Sequence, residues 1–176
     1  SDLSRLARHD ALTGLYTRRV LDDVLVQEIK RSTRTKRGFG VAIADLDDFK
    51  RVNDKYSHDT GDKALVELSK VLRSCIRSTD TVGRWGGEEF LLILPETSCA
   101  GAKKVLERIR IAVEEINIFH EGTKVLLSIT IGLSYRHGSY DRESMIDEAD
   151  KALYAGKRAG KNRVVCYQEE TAGCSQ

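Results

Sequence analysis

The stretch from Phe39 to Leu46 constrains this chain more than any other. Val41, Ala42, Ile43 and Ala44 leave no polar position in its middle, the pattern of a central strand buried on both faces. It ends in Asp45-Leu46-Asp47-Asp48. A carboxylate at the end of a buried strand is costly unless it is paired or holds a metal. Alternation puts Asp45 and Asp47 on one side of the strand and leaves the Leu46 carbonyl available as a further oxygen ligand.

A second stretch asks for a cation too. In Arg84-Trp85-Gly86-Gly87-Glu88-Glu89-Phe90, two glycines and two glutamates precede the apolar run Leu91 to Leu94. Adjacent glycines suit a tight hairpin with positive φ at both central positions. Glu88 and Glu89 then sit together at the exit of the turn, where like charges repel unless a divalent metal or a shared proton relieves them. The same residues also fit a solvated, charged hairpin. If the first strand lies beside this hairpin, Asp45 meets the glutamates.

The remaining chain reads as helices and strands around these two pieces. Residues 1–9 form the end of a linker helix, with Leu3 and Leu6 on one side. Thr13-Gly14 marks a turn. A helix from Arg18 carries Leu21, Val24, Leu25 and Ile29 inward and finishes in the basic patch Lys30 to Arg37, which reads as a solvated helix end. Residues 49–62 are a polar loop. Leu65, Leu68, Leu72 and Ile76 define the next helix, and Thr81 to Trp85 a short strand. After Pro95 comes a helix with Ala102, Val105, Ile109, Ala112 and Ile116 on one face. Val125 to Ser134 alternates as a half-buried strand, and a helix from about Ser144 to Ala159 turns Met145, Ala149 and Leu153 inward. A last strand spans Arg163 to Tyr167. Residues 169–176 read as a disordered tail, and Trp85 and Tyr154 as core. This order predicts an α/β (α+β) sandwich: one mixed, five-stranded sheet with surrounding helices, of the ferredoxin-like kind.

Composition narrows the function classes. A net charge of +2 and a basic patch without interleaved aromatics argue against a nucleic-acid partner. No apolar run reaches the ~18 residues of a membrane span. The four cysteines show no metal spacing and read as reduced cytosolic thiols, three of them buried. Ser1 is not a start residue and Met145 is the only methionine, so the domain at 10–168 is expected to follow an upstream sensory or regulatory region, in the cytoplasm.

Asp10-Ala11-Leu12-Thr13-Gly14-Leu15 with Arg18-Arg19, Asp45 through Asp62, Arg84 through Phe90, and Asp150 through Lys157 with Gly160-Lys161-Asn162 together resemble the GGDEF family of diguanylate cyclases. The resemblance implies a palm-like nucleotidyl cyclase fold and condensation of two GTP into cyclic di-GMP, releasing two pyrophosphates. It implies that Asp45, the Leu46 carbonyl and Glu89 bind Mg2+ or Mn2+, two ions per active site. Glu88 either helps deprotonate the attacking 3′-hydroxyl or makes a second metal contact. Backbone amides at Phe49 and Lys50, with the Lys157 and Lys161 side chains, hold the phosphates, and Gly86 and Gly87 let backbone approach the nucleotide.

Asn53 and Asp62 match the guanine readers, although Asp62 alone fits a helix N-cap and Lys161 a helix-end cation. Arg77-x-x-Asp80 occupies the place of the family's product-inhibition motif, with Arg108, and Lys104 beside it, as a second contact for cyclic di-GMP. His58 has no catalytic role. Ser57, Thr17 and Lys161 depart from the family's usual glycine, asparagine and arginine. Lysine keeps the charge at 161 but loses the bidentate fork. One chain offers one nucleotide site, so the reaction requires a homodimer. A non-catalytic receptor for GTP or cyclic di-GMP is the competing reading, and the presence of both glutamates argues against it.

Overall fold

The computed structural model describes residues 3, 7–138 and 140–167. In chain order the elements are α1 (Arg18–Thr35), β1 (Phe39–Leu46), α2 (Phe49–Lys55), α3 (His58–Cys75), β2 (Thr81–Arg84), β3 (Glu89–Leu94), α4 (Cys99–Glu114), β4 (Phe119–His120), β5 (Thr123–Lys124), β6 (Ile129–Arg136), α5 (Arg142–Arg158) and β7 (Arg163–Cys166). The main sheet has five strands in the order β2-β3-β1-β6-β7. Only the β6–β7 pairing is parallel. The mixed five-stranded sandwich expected from the pattern is therefore the observed fold.

Strand periodicity decides which helices cover which face. Along β1, Ala42, Ala44 and Leu46 pack with Leu65, Leu68 and Leu72 of α3 and with Leu106 and Ile109 of α4. The alternate residues Phe39, Val41 and Ile43 pack with Leu21 and Leu25 of α1 and with Met145 and Ala149 of α5. Successive side chains of a strand point to opposite faces, so Asp45 continues the second set and emerges on the α1/α5 face. Trp85 belongs to that second core.

Several expectations give way. The polar segment 49–62 is not a loop: it holds α2 and the first turn of α3. Ser57 starts α3 as its N-cap, accepting a hydrogen bond from the Thr60 N–H at 3.1 Å. The helix after Pro95 buries Ala102, Leu106, Ile109 and Val113, a stripe rotated slightly from the one expected, so that Val105 and Ala112 flank it half-buried. Tyr154 is not core but 64% exposed, because it lies about 100° round the helix from the inward Leu153. Cys75 is buried, whereas Cys99 and Cys166 are half-buried. The short β4–β5 hairpin had no sequence signal strong enough to predict it.

The strand expected from Val125 begins at Ile129 and is buried on both faces from Ile129 to Ser134. Its apolar residues face α3 and α4, and its small and hydroxyl residues lie under α5. The hydroxyls are tolerated there because each finds a carboxylate: Thr130 Oγ1 donates to Asp47 at 2.5 Å, and Ser134 Oγ to Glu148 at 2.5 Å. Arg136 and Tyr140 complete the Glu148 cluster. Of the expected N-terminal linker helix, Ala7 and Arg8 are helical and His9 bridges to Tyr16. Its other residues, Leu3 excepted, lie outside the described residues, as does the expected disordered tail. Among the described residues no helix is long and apolar enough to cross a membrane.

Candidate active site

β1 and β3 are antiparallel neighbours, and their register sets Asp45 directly opposite Glu89. Side chains opposed in this way share one face, so the two carboxylates converge without any long-range adjustment. The β2–β3 connection is wider than expected. Arg84 pairs with Phe90, and both the Trp85 and Gly86 N–H groups donate to the Glu89 carbonyl, at 2.8 and 3.1 Å. Four residues, Trp85 to Glu88, therefore turn the chain, and neither glycine has positive φ. This corrects the expected left-handed Gly-Gly turn: a loop of this width closes without it. Arg84 braces the loop, donating to the Gly87 carbonyl at 2.7 Å and pairing with Asp10 at 3.1 Å. A side chain added at Gly87 would meet nothing within 4 Å, so the outer face of the loop is open.

One cation already occupies the oxygen cluster. Lys157 of α5 donates to Asp45 Oδ1 (3.0 Å), the Asp45 carbonyl (3.2 Å), the Leu46 carbonyl (3.4 Å) and Asp47 Oδ1 (2.7 Å). The expected phosphate contact thus rests on the expected metal ligands. Burial raises the Asp45 carboxyl, an effect Lys157 only partly offsets. Glu88 is raised by burial and then by the Asp45 charge. Glu89 is raised by burial and then by Asp45, Asp150 and Glu88. Burial alone would lower Lys157, but its bonds to Asp47 and Asp45 outweigh this and raise it.

These donors fit a hard divalent ion. Two carboxylates and a main-chain carbonyl are oxygen ligands of the kind magnesium takes: Asp45 Oδ1 and the Leu46 carbonyl already share the Lys157 ammonium, and Glu89 stands opposite Asp45 in the sheet. Among the described residues no three His, Cys, Asp or Glu side chains form a ready-made cage. Magnesium sites commonly use one or two carboxylates, with substrate phosphates and water supplying the rest.

Phe49 and Lys50 open α2, where the first N–H groups of a helix lack intrahelical partners. Lys161 lies at the same opening, its ammonium 2.5 Å from Asp48. Asn53 packs against Gly61, where an added Cβ would come within 1.8 Å of Asn53 Oδ1. Among the described residues, that Oδ1 is the one buried side-chain N or O atom without a hydrogen-bond partner. An orphaned acceptor costs about 1–3 kcal/mol, which a ligand N–H would recover. Asp62 follows Gly61 and is exposed within α3; because Ser57 is the cap, the N-cap reading of Asp62 is removed. His58 is exposed.

At the far end of α3, Arg77 donates through Nη2 to Asp80 Oδ1 at 2.8 Å and to the Pro95 carbonyl at 2.7 Å. The Asp80 side chain is wholly buried beneath it, while that of Arg77 is 44% exposed. Arg108 donates to the Cys75 carbonyl, which draws both arginines to the C-terminal end of α3. Arg108 and Lys104 line a shallow cavity of about 440 Å³.

Sequence reasoning gave two carboxylates no role of their own. Asp150, on α5, adds negative charge beside Glu89; it opens the Asp150–Lys157 stretch that carries part of the resemblance, which was the available signal. Asp45 and Asp47 lie on one side as alternation predicts, both accepting from Lys157 Nζ, but Asp47 is 6% exposed and surrounded by further donors.

The family model described as "Diguanylate cyclase, GGDEF domain" matches residues 7–163. Diguanylate cyclase A of Treponema denticola is 39% identical over 168 residues, covering 93% of this chain and 45% of that protein. The chain spans less than half the length of the first curated relatives it matches. Among solved structures, the GGDEF domain of DgcB from Caulobacter crescentus in complex with c-di-GMP superposes with a TM-score of 0.88 at 30% identity, covering 94% of this chain and 98% of that one. Diguanylate cyclase SiaD, solved with its activator SiaC from Pseudomonas aeruginosa, gives a TM-score of 0.88 at 37% identity, covering 94% and 64%.

Proposed function

The chain belongs to the GGDEF domain family of diguanylate cyclases, and we propose that it condenses two GTP molecules into cyclic di-GMP. In each of two steps a ribose 3′-oxygen bonds to the α-phosphorus of the other nucleotide, the bond from that phosphorus to the bridging oxygen breaks, and pyrophosphate leaves. The observation that carries this reading is the register of Asp45 against Glu89 at a cluster of oxygens that already holds a cation.

Asp45, the Leu46 carbonyl and Glu89 would hold Mg2+ or Mn2+, with two ions per site in the complete complex. A bound ion of this type neutralises triphosphate charge and favours the ionised hydroxyl. Glu88 stands beside this set with a carboxyl raised by burial and by the Asp45 charge; with Glu89 committed to the metal in this reading, Glu88 is the group left to take the 3′-hydroxyl proton. The Phe49 and Lys50 amides, Lys157 and Lys161 bind the phosphates, and the open loop at Gly86 and Gly87 lets the nucleotide approach. Asn53 Oδ1 accepts from a guanine N–H, and Asp62 supports the same edge. Adenine offers no ring N–H donor there, so ATP would leave the buried acceptor unpaired. Since each chain carries one site, two chains face each other in a homodimer, brought together by an upstream sensory or regulatory region in the cytoplasm.

The test is incubation of the chain, fused to a dimeric coiled coil, with GTP or ATP and Mg2+, followed by chromatography of the products. We expect cyclic di-GMP, two pyrophosphates per product and untouched ATP. Intact GTP in the forced dimer would overturn the reading.

Arg77, Asp80 and Arg108 form the inhibitory site for accumulated cyclic di-GMP in this reading. The half-exposed Arg77 guanidinium, supported from beneath by buried Asp80, offers its remaining donors to a guanine Hoogsteen edge. The parent should slow as product builds up, and Arg77→Ala should hold its initial rate under the same conditions. Equal slowing in both progress curves would remove this site from the proposal.

A further inference from the structure

We propose that Asp47 is a positioning residue for the nucleotide phosphates, holding Lys157 directly and, through the Asn162 backbone, the turn that carries Lys161. The proposal rests on the cyclase reading of this same site. Asp47 lies two residues beyond Asp45, and their surroundings differ sharply. Its Oδ1 accepts from Thr130 Oγ1 at 2.5 Å and from Lys157 Nζ at 2.7 Å. Its Oδ2 accepts from Ser128 Oγ at 2.7 Å and from the Asn162 N–H at 2.9 Å. A carboxylate offers about four acceptor positions, so Asp47 is saturated by protein donors. Asp45 accepts only from Lys157 among the described side chains, and its side chain keeps 14% exposure against 3% for Asp47. The two aspartates therefore divide the work, one open to ligand and the other committed to the scaffold.

The scaffold in question is the turn that follows α5. Gly160, Lys161 and Asn162 all have positive φ, at 123°, 64° and 46°. Two consecutive non-glycine residues in the left-handed region persist only where their surroundings over-determine them. Here the Asn162 N–H is shared between Asp47 Oδ2 and Thr130 Oγ1 (3.1 Å), the Lys161 N–H donates to the Gly156 carbonyl at 3.0 Å, and Asn162 Oδ1 accepts from Arg110 at 3.2 Å. Among the described residues Asp47 is the one charged group that touches both Lys157, by its side chain, and Asn162, by its backbone. Lys161 does not touch Asp47, yet its direction depends on the turn that Asp47 anchors.

Asparagine at position 47 keeps the size but loses the charge and one acceptor oxygen. The Thr130 and Ser128 hydroxyls can rotate to accept from the new amide, whereas the Asn162 N–H and the Lys157 ammonium can only donate. One of those two fixed donors must then lose its contact with residue 47 and keep only its other acceptors, Thr130 Oγ1 for the Asn162 N–H or the Asp45 and Leu46 oxygens for Lys157. Asp47→Asn should weaken GTP affinity by about 10–100-fold, the range for a partner that orients ligand-binding groups, with kcat much less affected than KM.

Binding of a fluorescent, non-hydrolysable GTP analogue is to be measured for the parent, Asp47→Asn, Lys161→Ala and the double variant, with thermal unfolding as a control for folding. We expect strong non-additivity, with Lys161→Ala costing little once Asp47 is lost. Independent, multiplying effects, or parent-like binding by a folded Asp47→Asn, would make Asp47 merely structural and overturn the inference. If Asp47→Asn does not fold, Thr130→Val removes one shared tie to the turn without changing charge, and the same coupling to Lys161 is required of it. A parent that binds no analogue would instead indict the cyclase reading itself.

Discussion

Glu89→Gln is expected to lower cyclic di-GMP formation by about 10²–10³-fold while raising the unfolding temperature of the metal-free protein. The two effects share one cause. The Glu89 carboxyl is raised by burial and then by the charges of Asp45, Asp150 and Glu88. A raised carboxyl means that the folded chain holds this proton more tightly than the unfolded chain does. The ionised form therefore destabilises the fold above the folded pKa, and that penalty fades as pH falls through it. Glutamine has no charge to crowd, so at neutral pH the variant should gain about 0.5–2 kcal/mol. For a chain of this size each kcal/mol is worth about 2–4 °C. Thermal unfolding in chelator at neutral and acid pH reads the difference, which should shrink at acid pH and in high salt. A variant that unfolds at a lower temperature than the parent would show that Glu89 is supported by its neighbours rather than strained by them.

Gly132→Ala is expected to destabilise the fold by about 3 kcal/mol or more, at the upper end of what overpacking costs. A Cβ built at this position would stand 2.1 Å from the Ala149 carbonyl oxygen and 2.3 Å from the Leu153 nitrogen. Those are backbone atoms of α5, so no side-chain rotation relieves the clash and the helix must lift from β6. Lys157 rides on the same helix, two turns beyond Ala149, and would be carried away from Asp45 and Asp47. The urea midpoint should fall, and activity should fall further than the unfolded fraction accounts for. An unchanged midpoint would mean that α5 is not seated on the sheet by this contact. The sequence did carry a signal here, since a glycine inside a strand pattern marks a bulge or a close backbone approach.

Other features were less legible, for identifiable reasons. α2 has Val52 as its one buried residue, so a seven-residue segment of mostly charged side chains shows no apolar period and reads as loop. Tyr154 and the outer residues of α4 were misplaced because an apolar residue adjacent to a helix's inward stripe is within one step of being core or surface. The hydroxyls of β6 were assigned to solvent because alternation with Ser and Thr usually means a wet face. Here Asp47 and Glu148 satisfy them instead, and those partners lie 83 and 14 residues away in the chain.

The sequence by itself determined the layered sandwich, the family, and that Asp45 would meet the glutamates once the first strand lay beside the hairpin, as the β1–β3 pairing has it. Each follows from short-range pattern: an apolar run that demands the middle of a sheet, a hairpin that supplies its neighbour, and carboxylates at the ends of both. Tertiary structure alone decided which aspartate is open and which is closed, and placed the Lys157 ammonium on the Asp45 oxygens. It also determined that Gly86 and Gly87 turn without left-handed backbone. These depend on how closely α5 settles on β6 and on which donors reach a buried oxygen, distances of a few tenths of an ångström that sequence spacing does not encode.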